Sequence, residues 1–178
     1  TIPIEAAMFK RNIAPGLTRN FAFETFSQID KKLINDVIEE AKDSVHTDVT
    51  LDITASDIDP YAIELTKNNA LSAGVGDFIK VVESDARRII TDKTCGSIIT
   101  NPPYGERLEE KKDLPQLYKI IGERYKALDS WSAYIITSYE QAERDMGLKA
   151  TKNRKIYNGM IKTYFYQFAG EKPKFRRD

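Results

Sequence analysis

Across 178 residues this sequence holds one cysteine, one histidine and one tryptophan, and its charges cancel, 27 Lys and Arg against 27 Asp and Glu. Each scarcity excludes something. A lone Cys95 forbids an internal disulfide, and Cys95 with the lone His46 cannot furnish the four-ligand set of a structural zinc site. Cys95 reads as a buried thiol and His46 as a surface imidazole. Zero net charge gives no overall basic field of the kind that gathers a polyanion. No apolar run approaches the roughly 20 residues that a membrane-spanning helix needs, and no basic-then-apolar leader opens the chain, so the expected location is cytoplasmic. What is present, 41% hydrophobic and 30% charged residues, suffices for one globular core.

The pattern of elements is read next. Thr1-Ile2-Pro3-Ile4-Glu5-Ala6-Ala7-Met8 is already helical, as expected of a segment cut from a longer chain. Residues 30–46 place Leu33, Ile34, Val37, Ile38, Ala41 and Val45 on one helical face behind Asp30, a natural N-cap. A strand is expected over 48–57, a helix from Tyr61 to Ala73 entered at Pro60 and closed near Gly74, and further strands over 78–82 and 96–100. A helix over 113–128 carries Leu117, Ile120, Ile121, Tyr125 and Leu128. A strand over 131–138, a short helix over 139–146 and a hairpin of strands over 155–158 and 161–170, turning at Asn158-Gly159, complete the order. Residues 1–170 read as one domain and 171–178 as a charged tail. Strand and helix alternate, the signature of an α/β fold with a mostly parallel sheet and, here, an antiparallel C-terminal hairpin. In such sheets ligands sit beyond the carboxyl ends of the strands.

Three strand ends carry chemistry. Asp57, in Ala55-Ser56-Asp57-Ile58-Asp59-Pro60, can accept both hydroxyl hydrogens of a ribose, or can simply turn the chain, with Asp59 the better helix cap. Asp85, in Val82-Glu83-Ser84-Asp85-Ala86, can take an exocyclic amine while the Ala86 amide faces a ring nitrogen, or can be a turn aspartate. Asn101-Pro102-Pro103-Tyr104 is the specific signal. An aryl amine is a poor nucleophile because its lone pair is delocalised into the ring. Two acceptors, the Asn101 amide oxygen and the Pro102 carbonyl, can hold its hydrogens so that the lone pair faces an electrophile. The prolines lock the turn, and Tyr104 offers a flat surface on which a base can stack.

These residues, in this order, resemble the Rossmann-like S-adenosylmethionine-dependent amino-methyltransferases that carry an (Asn/Asp)-Pro-Pro-(Tyr/Phe) motif. NPPYGERL, the opening TIPIEAA, NIAPGL with RNFAFE, and RKIYNGMIKTYFYQF resemble more narrowly the THUMP-domain-containing 23S ribosomal RNA guanine-N2-methyltransferases, a family often labelled N6-adenine-specific DNA methylases. The resemblance implies that Asp57 binds the ribose of S-adenosylmethionine, Ile58 packs on its adenine, and Asp85 with Ala86 reads the adenine edge. It implies that Asn101 and Pro102 orient the target amine of ribosomal RNA, that Asn101 also borders the cofactor, and that Tyr104 stacks the flipped base. No metal is implied. Glu106 and Arg107 carry no clear chemical role; the expectation is that they order the motif loop by pairing with other charges or that Arg107 reaches RNA phosphate, and that Lys149, Lys152, Arg154 and Lys155 either line an RNA path or are a solvated face. The family's first strand and glycine-rich loop, and a THUMP region that shares the RNA contact, are expected before Thr1, and the piece alone is expected to bind cofactor poorly. Two other readings stay open: N6-adenine methylation of DNA or RNA, and a non-catalytic nucleic-acid-binding module.

Overall fold

The computed structural model describes residues 1–104 and 110–171. Chain contacts divide it into two compact units, Thr1–Ser84 and Asp85–Asp178.

The first unit contains α1 (Ile2–Lys10), α2 (Lys31–Asp43), β1 (Ile53–Asp57), α3 (Pro60–Ser72) and β2 (Ile79–Glu83). β1 and β2 pair in parallel from Ile53↔Ile79 to Asp57↔Glu83. That pairing explains why the strand expected from residue 48 begins only at Ile53: β2 offers no partner further back. α3 starts as its sequence dictates, with Pro60 in the first turn and Asp59 accepting the Tyr61 N–H at 2.9 Å. It ends at Gly74, whose φ of +69° suits a residue without a side chain. Ile4 and Ala7 of α1 pack with Ala70, Val75 and Ile79 to form the core of this unit.

The Asp30 cap is observed, its carboxylate accepting the Lys32 N–H at 2.8 Å. The helix behind it departs from expectation. No residue of α2 is buried: Ile34, Ile38 and Ala41 of its apolar stripe are half-buried, and Leu33 and Val37 are 59% and 55% exposed.

The second unit contains β3 (Ser97–Thr100), α4 (Glu110–Lys126), β4 (Ser132–Thr137), α5 (Ala142–Met146), β5 (Lys152–Asn158) and β6 (Ile161–Phe168). Its sheet has the order β3-β4-β6-β5, with β3 parallel to β4 and β6 antiparallel to both of its neighbours. The α/β reading and the antiparallel terminal hairpin are therefore both present. β5 starts at Lys152, earlier than the sequence suggests, because β6 is long enough to pair Gln167 with it. In β4, Ala133, Ile135 and Thr137 alternate inward and meet Leu114, Tyr118 and Ile121 of α4. The buried line of α4 thus runs through Leu114 and Tyr118, one step round the helix from a stripe centred on Ile120 and Leu128. α5 crosses α4 at Gly122, where a Cβ would lie 2.3 Å from the Met146 carbonyl oxygen; only glycine permits that approach.

Cys95 is exposed, not buried: it occupies a left-handed turn at φ +59° just before β3. His46 is on the surface as expected. Among the described residues no helix is long and apolar enough to cross a membrane, and no three ligating side chains form a metal site.

Candidate active site

Asn101 follows the last residue of β3, so the Asn-Pro-Pro-Tyr turn leaves the sheet at the carboxyl end of a parallel strand, where a ligand belongs in this fold class. Asn101 is exposed, Pro102 buried, Pro103 exposed and Tyr104 half-buried. The turn brings Asn101, Pro102 and Tyr104 together as one short constellation: a side-chain amide at the surface, a rigid anchor and an aromatic ring.

A buried hydroxyl chain fixes that constellation from beneath. Tyr118 is fully buried, and its hydroxyl donates to the Pro103 carbonyl at 3.3 Å. The same oxygen lies 2.6 Å from Thr137 Oγ1, which in turn accepts the Tyr139 N–H at 3.0 Å. Each hydroxyl has one proton. With Tyr118 donating to Pro103, the Thr137 proton must go to Tyr118, and the order runs Tyr139 N–H, Thr137, Tyr118, Pro103. Burial holds the Tyr118 phenol well above the ordinary tyrosine range, against a smaller lowering by the Thr137 hydrogen bond, which favours the protonated, donating form.

Sequence reading missed Tyr118 and Thr137. The available signal was a phenol on the buried side of a helix, which must find a polar partner. Tyr139 stacks obliquely on Tyr118, with centroids 4.9 Å apart, and its hydroxyl donates to Asp145, extending the polar cluster into α5.

The remaining candidates fall in both units. Asp57 and Ile58, at the end of β1, are exposed, Ile58 by 63%. One Asp57 oxygen accepts the Asp59 N–H at 3.0 Å, so its turn-forming role is real and occupies half of the carboxylate. In the second unit, Asp85 caps the 3-10 turn Ala86–Arg88 by accepting the Arg87 N–H at 2.8 Å. Its oxygens also take the Arg87 guanidinium, with Nε at 2.8 Å. Arg124 Nε of α4 holds the Arg87 carbonyl at 2.9 Å, which ties the turn to the helix. Ala86 opens the turn, a position whose N–H has no partner within the helix. Glu106 and Arg107 lie outside the described residues, as does most of the charged tail.

The chain as a whole has known counterparts. Residues 1–167 match the UPF0020 family described as "RMKL-like, methyltransferase domain". The chain belongs to the RMKL-like methyltransferase domain family. It is 45% identical over 168 residues, 94% of its length, to a Bacillus subtilis (strain 168) protein named "Putative RNA methyltransferase YpsC". It is 39% identical over its whole length to "Ribosomal RNA large subunit methyltransferase K/L" of Shewanella amazonensis. Among solved structures, "SMU.472, a putative methyltransferase complexed with SAH" superposes with a TM-score of 0.92 at 41% identity, over 97% of this chain and 46% of that one. The chain spans less than half of the relatives it matches, 44% of the Bacillus protein and 26% of the Shewanella one.

Asp57 keeps one carboxylate oxygen without a partner among the described residues, beside the exposed Ile58 side chain. Asp85 is held ionised, its carboxyl lowered to about 2, first by the side-chain hydrogen bond from Arg87 and then by the Arg87 backbone N–H. An acceptor of fixed charge suits an amine donor.

The titration of Asp85 gives a pH prediction for the domain. A carboxyl lowered from 3.8 to about 2 in the folded state adds stability that is complete above about pH 4 and is lost as pH falls through about 2. NMR titration of the Asp85 carboxyl carbon is expected to show the low midpoint, and Arg87→Ala is expected to return it toward 3.8.

Proposed function

We propose that this domain methylates the exocyclic N2 amine of a guanine in 23S ribosomal RNA, with S-adenosylmethionine as methyl donor. The observation that carries the reading is the Asn101-to-Tyr104 turn at the carboxyl end of β3, braced by Tyr118. It presents an amide oxygen, a proline carbonyl and an aromatic face over a few residues. The family and the names of its relatives support methylation of RNA; the flanking residues that resemble the guanine-N2 enzymes support the choice of amine.

In this reading Asp57 accepts the cofactor ribose hydroxyls, Ile58 covers its adenine, and Asp85 with the Ala86 amide reads the adenine edge. Asn101 and Pro102 accept the two hydrogens of the guanine amine, and Tyr104 stacks the extruded base. Holding both hydrogens in acceptors turns the nitrogen lone pair toward the electrophile, so the contribution of the chain is positioning. Bound there, S-adenosylmethionine supplies an electrophilic methyl carbon, whose transfer forms one C–N bond, breaks one C–S bond and leaves a neutral thioether. The amine proton passes to water. In this reading a THUMP region of the complete protein shares the RNA grip, which the net charge of zero leaves room for.

The test is product analysis. The complete protein, S-adenosylmethionine and unmodified large-subunit ribosomal RNA are expected to yield N2-methylguanosine on nucleoside digestion. N6-methyladenosine, from RNA or from added DNA, would replace the guanine assignment. RNA binding with no methylated nucleoside would replace the enzyme reading with that of a binding module.

A further inference from the structure

The sheet of the second unit places a second feature at the edge where the Asn101 turn leaves it. β3 runs parallel to β4, so the carboxyl ends of both strands share one edge. β6 runs against β4 and last pairs with it at Thr137↔Tyr164. Its first three residues, Ile161 to Thr163, therefore extend beyond the end of β4 by about 10 Å at the usual rise per residue. They do not leave as a loose loop. β5 continues to pair with them through Tyr157↔Lys162 and Asn158↔Ile161, and Thr163 Oγ1 ties the two strands by donating to the Ile156 carbonyl at 2.9 Å. The result is a two-stranded arm on the same edge as Asn101.

The composition of the arm is one-sided. Residues 152–163 include Lys152, Arg154, Lys155 and Lys162 and no carboxylate. Cross-strand pairing and the period of two put Lys155, Tyr157, Lys162 and Tyr164 on a single face. At its base Glu140 organises that face, accepting from Lys162 at 2.8 Å and from the Tyr164 hydroxyl at 3.1 Å. Lys162 sits over the Tyr164 ring at 5.1 Å. Further out, Tyr157 is 66% exposed and Met160 at the tip is 99% exposed. Isolated apolar side chains at a turn are ordinary; aromatic rings alternating with ammonium groups on a rigid arm are the combination that takes bases on rings and phosphates on cations.

We propose that this hairpin is an RNA-contacting arm, with Tyr157 stacking a base that flanks the methylated nucleotide and Lys155 contacting a backbone phosphate. The proposal rests on the reading that the substrate is RNA. It adds a contact surface that the Asn-Pro-Pro-Tyr turn does not supply, and it lets a neutral chain meet a polyanion through a local field.

The experiment uses the complete protein, with large-subunit ribosomal RNA and a mixed-sequence single-stranded oligoribonucleotide as probes. Both substitutions lie at exposed positions, and circular dichroism checks their folding. Tyr157→Ala is expected to weaken RNA binding by about five- to a hundredfold. Lys155→Ala is expected to reduce the slope of log affinity against log salt by about 0.7, the loss of one phosphate contact to a single strand. S-adenosylmethionine affinity is expected to stay at the parent value in both. RNA affinity and salt slope unchanged in both variants, while the parent still methylates RNA, would overturn the arm and leave the RNA reading intact. A parent protein that neither binds nor methylates RNA would overturn both. Concentration-dependent self-association that Tyr157→Ala abolishes, with RNA affinity unmoved, would assign the tip to a second copy of the chain and also overturn the proposal.

Discussion

Asn101→Ala is expected to lower kcat for RNA methylation by roughly a hundredfold to a thousandfold, the usual loss when one preorganised polar group at a reacting centre is removed. The expectation follows from what the side chain does and does not touch. Asn101 is exposed and ends no helix, so the substitution is expected to change stability by less than about 0.5 kcal/mol. Its effect should therefore fall on the oriented amine. RNA affinity should change far less than kcat, because the proposed ring stacking on Tyr104 and phosphate contacts elsewhere would persist. Asn101→Asp keeps an acceptor oxygen at the same place and is expected to retain more activity than the alanine variant. Single-turnover methylation with saturating RNA separates the effects: a fall in affinity with an unchanged chemical rate would remove Asn101 from the amine-orienting role.

Tyr118→Ala is expected to cost about 3–5 kcal/mol of stability, the range for truncating a buried aromatic. Tyr118 is fully buried at the centre of the cluster that joins α4, β4, α5 and β6, and its removal leaves a cavity as well as two broken hydrogen bonds. Tyr118→Phe isolates the hydroxyl. It keeps the packing but strands the Thr137 hydroxyl and the Pro103 carbonyl, at about 1–3 kcal/mol. It should also slow methylation, since the turn that carries Asn101 loses its brace. A double-mutant cycle with Thr137→Val provides the check. Because both residues belong to one chain of hydrogen bonds, the combined loss should fall short of the sum of the single losses. Strict additivity in thermal unfolding, with methylation unaffected in Tyr118→Phe, would reduce Tyr118 to a packing residue.

The elements that were legible in the sequence are those whose cause is local. Asp30, Asp59 and Pro60 start their helices by chemistry within three residues, and Gly74 stops one by its own backbone freedom. The motif after β3 was legible because an amide, two prolines and an aromatic ring are adjacent. What was not legible depends on partners distant in the chain. β1 begins where β2 can pair with it, β5 begins where the far end of β6 reaches, and the apolar stripe of α2 is only half-buried among the described residues. The brace on the motif is of the same kind. Pro103, Tyr118 and Thr137 are separated by 15 and 19 residues, and only folding makes them neighbours.

The fixed order of that hydroxyl chain makes one backbone amide an instrument. The Tyr139 N–H is the first donor in a sequence that ends at the Pro103 carbonyl, so its exchange with solvent deuterium reports how often its bond to Thr137 opens. A base seated between Asn101 and Tyr104 would hold the turn down and lengthen the lifetime of that proton. Occupancy of the proposed amine-binding turn is then expected to show as an exchange rate on the neighbouring strand end, at a backbone amide outside the turn itself.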